Sequence, residues 1–220
     1  MESLIIELNL EGKKIIIIGG GNEAEKRIKS ILNQNCEILV ISDSVNIEIS
    51  KIAKTKKIKL KKQKIENIKI ITELKPDIII TTTDNKKLNQ KIINYAKKKK
   101  IMVYSSDNPD ESNFSNPSII DFEKMIQIAI FTGGRSPAMS KKIKLKLEEA
   151  LKKIITKEDI AQIKIQKISR ELAKETIPTQ LERKECLRSI MNDNLIDQLI
   201  KDGQVKKAEK RAIIILKNWK

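Results

Sequence analysis

Four consecutive isoleucines, Ile15 to Ile18, run straight into Gly19-Gly20-Gly21, and residues 22–33 then read as a helix. No other stretch constrains the fold as tightly. An apolar run of this kind leaves a strand no polar face, so it needs cover on both sides, as in a parallel sheet. Glycines at its end let the backbone turn sharply into a helix with no Cβ in the way. A strand, a glycine turn and a helix form the first half of a βαβ unit.

The pattern recurs downstream. Glu37 to Ile41 reads as a second strand and Ile58 to Leu60 as a short third. Ile65 to Leu74 is helical, Asp77 to Thr82 a strongly apolar strand, Asn85 to Lys97 an amphipathic helix and Ile101 to Tyr104 another strand. The segment SSDNPDESNFSNPS then reads as a loop leaving the sheet. Met125 to Phe131 forms one more strand, followed by a helix from Pro137 to Leu151 with Ser136 as N-cap. Beyond Lys157 only helical patterns remain, broken around Pro178 and Gly203. There Ile160, Ile163, Ile168 and Leu172 can share a face, as can Leu195, Ile196, Leu199 and Ile200. The expected class is α/β, with a Rossmann-like doubly wound parallel sheet over residues 1–113. A strand–helix dimerisation and substrate-cleft segment over 114–152 and a small helical domain over 153–220 follow.

Composition narrows the chemistry. With 40% hydrophobic and 34% charged residues the chain is globular. No apolar run approaches the ~18 residues that cross a bilayer. The opening MESLIIELNLEGKK lacks the basic and apolar regions of a leader, so a cytoplasmic protein is expected. Cys36 and Cys186 belong to no CxxC and are expected to be reduced. Histidine is absent, which removes the commonest general base and metal ligand. Chemistry must therefore use carboxylates, lysines, hydroxyls or a cofactor, and no metal site is expected. The net charge of +16 has three readings: codon bias toward lysine, nucleic-acid binding, or a polyanionic small substrate. Aromatics at 3% and the lack of finger-type zinc ligands speak against nucleic acid.

Gly19-x-Gly21-x-x-Ala24 sits where a dinucleotide fingerprint has physical meaning, after a strand and at a helix N-terminus. A bare strand-to-helix turn would use glycines too. Asp43, about 20 residues on, can accept from a ribose 2′-OH and would repel a 2′-phosphate, which favours NAD over NADP. Thr82 and Asp84 close the Asp77 strand and should face the crevice at the carboxyl ends of the strands. Asp84 can equally cap the next helix. Asp107 follows the Ile101 strand, and an Asp before Asn108-Pro109 is also ordinary turn chemistry. Thr132-Gly133-Gly134-Arg135-Ser136 lies before a helix N-terminus whose N–H groups can hold an anion. Lys141 and Lys142 follow, and read equally as a solvated face.

Together these segments resemble the precorrin-2 dehydrogenase family, which includes stand-alone proteins and the N-terminal part of siroheme synthases. LNLEGKKIIIIGGGNEAEKRIKSIL resembles its glycine-rich start and TTTDNKKLNQKI its "ATDD..LN..V" segment. VYSSDNP, FSNPSII and IAIFTGGRSPAMSKKIKLKLE resemble its substrate-side motifs. The resemblance is close over residues 1–150 and loose in the tail. It implies oxidation of precorrin-2 to sirohydrochlorin with NAD. It also implies that Asn22, Glu23, Asp43 and Ser44 lie around the cofactor, that Asp107 is the essential crevice aspartate, and that Thr132 stands where relatives often carry serine. Gly133, Ser136 and Lys141 are then expected on the substrate side, with the helical tail closing over the cleft. Members are homodimers joined through the region after the sheet, here the Met125 strand and the helix after Ser136. Some members also insert ferrous iron. A non-catalytic NAD-binding regulatory module is the alternative, and it would need no crevice carboxylate.

Overall fold

The computed structural model describes residues 4–219, which form two compact units divided between Asn116 and Pro117. In the first, strands β1 (Lys14–Ile18), β2 (Glu37–Ser42), β3 (Lys59–Lys62), β4 (Ile78–Thr81) and β5 (Met102–Ser105) form one sheet in the order β3-β2-β1-β4-β5. Every pairing is parallel. Between them run α1 (Asn22–Ile31), α2 (Ile47–Lys54), α3 (Lys69–Leu74) and α4 (Lys86–Lys99), and a 3₁₀ turn at Pro109–Glu111 follows β5.

The isoleucine run explains the layering. Side chains alternate faces along a strand, so Ile15 and Ile17 pack with Ala24 and Ile28 of α1 and Ile49 of α2. Ile16 and Ile18 pack on the other face with Ile71 of α3 and Leu88, Ile92, Ile93 and Ala96 of α4. One strand thus serves two cores. Asp77 ties the strands at their amino ends, its carboxylate accepting from the Lys14 N–H at 2.8 Å and from Lys13 Nζ at 3.4 Å. The Lys14 N–H, above all, holds the Asp77 carboxyl below the usual carboxylate range.

The second unit begins with a hairpin, β6 (Ser118–Phe122) and β7 (Ile126–Ile130), followed by α5 (Pro137–Leu151). Ser136 caps α5, its Oγ accepting from the Met139 N–H at 3.2 Å, with Pro137 in the first turn, as the sequence predicts. Then come α6 (Lys157–Thr176), α7 (Gln180–Met191), α8 (Asn194–Lys201) and α9 (Val205–Lys217), sharing one core. Thr156 and Asp159 form a capping box at the start of α6.

Three sequence expectations need correction. Helix α2 lies in a stretch to which periodicity assigns nothing. It is eight residues long, rich in β-branched isoleucine, and starts where Asn46 Oδ1 accepts from the Ile49 N–H at 2.9 Å. Strand β7 is not a lone strand, because β6 pairs with it antiparallel. The turn between them has positive φ at both Glu123 (52°) and Lys124 (58°), a conformation that ordinarily advertises itself as Asn-Gly or Asp-Gly. Asp121 compensates, accepting from the Lys124 N–H and from Gln127 Nε2, each at 2.7 Å. Gln127 first, then the Lys124 N–H, hold its carboxyl below the usual range. Finally, the buried stripe of α6 runs through Ile160, Ala161, Ile165, Ser169 and Ala173; Ile160 lies on it as expected, but Ile163, Ile168 and Leu172 are only half-buried. In α8, Ile196 and Ile200 are buried but Leu195 is exposed.

Truncating Ile79, fully buried in β4, by Ile79→Ala should cost ~2–5 kcal/mol in urea unfolding. Ile47→Ala, at a side chain 74% exposed, should change stability by less than ~0.5 kcal/mol.

Candidate functional site

The sheet order reverses direction at β1, whose neighbours are β2 and β4, and ligands of such sheets gather at the carboxyl ends beside that reversal. The glycine turn sits there. Gly19 has φ +116°, and a Cβ on it would lie 2.4 Å from Thr82 Oγ1. Thr82 itself is held by its hydroxyl donating to the Ile18 carbonyl at 3.0 Å. A Cβ on Gly20 would lie 2.0 Å from the Ser44 carbonyl oxygen. Gly21 differs from both: a Cβ there meets nothing within 4 Å. Gly21 is also the N-cap of α1, and no side chain caps that helix. The opening N–H groups of α1 are therefore left without a side-chain cap beside an open Gly21, and an anion there would find donors and the positive end of the helix dipole. A dinucleotide pyrophosphate fits such a cradle.

A crevice of about 190 Å³ opens at the same edge, lined by Gly19, Asp43, Asp84 and Lys64 among others. Asp43 directly follows β2 and is exposed. Its Oδ1 accepts from the Ser44 N–H at 2.8 Å. Asp84 lines the crevice and is not the cap of α4: Asn85 Oδ1 takes that role, accepting from the Leu88 N–H at 3.0 Å. The Asn22 side-chain oxygen accepts from Asn46 Nδ2 at 3.4 Å. Glu23 pairs with Arg27 and Lys26 along α1. Gln63 and Lys64, just past β3, are crevice residues that sequence reasoning missed. They follow a strand only four residues long and mostly lysine, which gives little signal of a strand end.

Asp107 lies at the same sheet edge, two residues past β5, and is exposed. Its Oδ1 accepts the Ser105 hydroxyl at 2.5 Å, and Ser105 Oγ lies 2.7 Å from Thr81 Oγ1. A hydroxyl has one proton to give. Because Ser105 directs its proton at Asp107, Thr81 is the donor to Ser105. Thr81 and Ser105 are register partners at the ends of β4 and β5, and both are fully buried. Two buried hydroxyls thus aim one exposed carboxylate. No backbone N–H of the adjoining turn is bonded to the Asp107 side chain among the described residues, unlike an Asp whose job is to make that turn. The visible signal was a polar residue closing each apolar strand, but pairing the two requires knowing that β4 and β5 are neighbours.

In the second unit, Gly133 (φ +64°) and Gly134 (φ +74°) make the left-handed turn before α5. Thr132 Oγ1 lies 3.0 Å from Ser140 Oγ and accepts from the Ser136 N–H at 3.3 Å. Ser136 caps α5, and Lys141 is exposed on its first turns. Ser140, the only buried residue of α5, is a partner of Thr132 that sequence reasoning missed. Among the described residues no three His, Cys, Asp or Glu side chains gather as metal ligands. None of the described helices is long and apolar enough to cross a membrane.

A family model described as "Putative NAD(P)-binding" matches residues 6–118. A protein of Methanocaldococcus jannaschii named "Putative precorrin-2 dehydrogenase" is 31% identical over 204 residues, 90% of this chain and 94% of its own. The siroheme synthase of Vesicomyosocius okutanii is 30% identical over 151 residues, 69% of this chain but 32% of its own. That of Psychromonas ingrahamii is 26% identical over 208 residues, 94% of this chain and 42% of its own. This chain thus spans under half of either siroheme synthase. The solved structure of SirC, a precorrin-2 dehydrogenase, superposes with a TM-score of 0.72 at 21% identity, covering 96% of this chain and 98% of that one. The likeness to SirC bears on the fold.

The glycines should separate experimentally. Gly20→Ala forces a Cβ into the Ser44 carbonyl and should destabilise the protein by at least ~1–3 kcal/mol. Gly21→Val should stay within about 1 kcal/mol of wild type yet lose at least ~10-fold in dinucleotide affinity by calorimetry, which is about 1.4 kcal/mol.

Proposed function

The chain belongs to the precorrin-2 dehydrogenase family, and from that membership we propose that it oxidises precorrin-2 to sirohydrochlorin with NAD as the acceptor. The observation that carries the reading is a hydroxyl-aimed carboxylate, Asp107, at the same sheet edge as an uncapped glycine-turn helix.

NAD, when bound, supplies the hydride acceptor. The N–H groups that open α1 hold its pyrophosphate, and Gly21 leaves the space for it. The Asp43 carboxylate accepts from a ribose hydroxyl. It disfavours a 2′-phosphate there, while Lys64 in the same crevice acts in the opposite sense. The oxidation removes one hydride, carrying two electrons, and one proton from the macrocycle. Asp107 accepts the proton, because the chain has no histidine to do so and the carboxylate is exposed, positioned and free at its second oxygen. Ser105 and Thr81 fix which oxygen is free. A purely regulatory dinucleotide module would have no need of this relay.

The same family reading supports a homodimer assembled through β7 and α5. Helix α5 buries only Ser140 of its 15 residues and leaves Met139 and Leu145 exposed, as a helix awaiting a partner would. Thr132, Gly133, Ser136 and Lys141 are assigned to the substrate side, where precorrin-2 presents acetate and propionate carboxylates.

The decisive experiment is an anaerobic assay of NADH formation from precorrin-2, with and without ferrous iron to read metal insertion as a separate step. Asp107→Asn should lower turnover on the order of 10²-fold while NAD affinity stays near wild type. Full turnover by this variant would refute the role of the charge, since Asn keeps the shape. Catalytic efficiency with NADP equal to that with NAD would refute the cofactor assignment. Light scattering at micromolar concentration should give twice the monomer mass, and a monomer would count against the dimer.

A further inference from the structure

The excess positive charge has a local focus. Helices α6 and α7 enclose a groove of about 920 Å³, within the ~300–1,000 Å³ range of small-molecule sites. Lys167, Arg170 and Lys174 line it from α6, and Arg183, Lys184 and Arg188 from α7. No aspartate or glutamate lines it. None of the six cations forms an ion pair among the described residues.

Helical geometry makes this more than a sum of surface lysines. On α6 the three cations fall at spacings of three and four, so they share one face; on α7 Lys184 and Arg188 are four apart and share a face, with Arg183 beside Lys184. Arg170 with Lys174, and Lys184 with Arg188, are like charges four apart, an arrangement that weakens a helix. A bound polyanion relieves that repulsion. The two walls are fixed relative to each other: Gln162 Nε2 donates to the Met191 carbonyl and Gln166 Nε2 to the Leu187 carbonyl, both at 3.2 Å. Between the cations the lining is mostly apolar, with Ile163, Leu187 and Met191 accompanied by Gln166 and Gln180.

An apolar floor with cations on both rims suits a flat hydrophobic body edged with carboxylates. It suits nucleic acid less well, because no aromatic side chain lines the groove to stack a base. We infer that the α6/α7 groove is a binding site for a tetrapyrrole polycarboxylate, held by arginine- and lysine-to-carboxylate bonds over the apolar floor. The inference rests on the dehydrogenase reading for its ligand class and on the second unit alone for its geometry.

The test uses the full-length protein and uroporphyrin, a stable octacarboxylate, followed by fluorescence quenching. Wild type should bind it saturably, and more tightly than the tetracarboxylate coproporphyrin. Arg170→Ala with Arg188→Ala should weaken uroporphyrin binding by at least about 10-fold per arginine. A control of equal charge loss outside the groove, Lys201→Ala with Lys210→Ala, should stay within about 2-fold on the same scale. NAD affinity should be unchanged in both, and circular dichroism should match wild type. Equal weakening by the groove and control pairs would overturn the inference, as would tighter binding of a duplex DNA oligonucleotide that displaces the porphyrin. The two readings can fail separately. Arginine-dependent porphyrin binding without NADH formation from precorrin-2 would leave the groove standing and sink the dehydrogenase assignment. Normal turnover with porphyrin binding untouched by the groove variants would do the reverse.

Discussion

Three backbone segments meet at the carboxyl end of β1, and the first unit is organised around how closely they approach. Gly19 lies against Thr82 and Gly20 against the Ser44 carbonyl, at separations that leave no room for even a methyl group. Backbone hydrogen bonds close the same junction: the Gly19 N–H donates to the Ile41 carbonyl, the Thr82 N–H to Ile18, and the Asn46 N–H to Gly20. The loops after β1, β2 and β4 are thereby fixed to one another rather than to solvent. A cofactor cradle built on such a junction is rigid before anything binds, which lowers the entropy cost of binding.

The central strand transmits that rigidity in both directions. Its isoleucines alternate between two cores, so α1 and α2 on one face and α3 and α4 on the other are positioned by the same four residues. The start of α1 can therefore stay uncapped without fraying, because Ala24 and Ile28 anchor it to the sheet. At the same carboxyl edge of the sheet, the paired strands β4 and β5 bring Thr81 and Ser105 together by register alone. The aim of the Asp107 side chain is thus a by-product of strand pairing, although its place just past β5 is local.

This division explains what could be read from the residues. The parallel sheet, the glycine turn and the Ser136-Pro137 start of α5 follow from local rules, and each stands where those rules put it. So does the position of Asp43 directly after β2 and of Asp107 just beyond β5. What escaped was non-local or disguised. The β6–β7 hairpin turns on Glu123 and Lys124, residues that hide a left-handed turn which glycine or asparagine would announce. The core stripe of α6 mixes Ile160 and Ile165 with Ala161, Ser169 and Ala173 while Ile163 and Ile168 stand half-buried, and small residues at a helix contact carry no signal in an apolar periodicity. The separate roles of the three glycines depend on what lies opposite each of them, and the opposing residues are more than 20 positions away in the chain.

That last asymmetry has a consequence for descent. Two of the three glycines are required by the protein's own backbone, and the third by nothing within it. In a lineage that kept this fold but gave up its cofactor, positions 19 and 20 would stay glycine under selection for folding alone. Position 21 would be free to drift, since its backbone has an ordinary φ of −85° and its surroundings are empty. A side chain at that one position, beside two intact neighbours, would mark a dehydrogenase fold that has outlived its dehydrogenase.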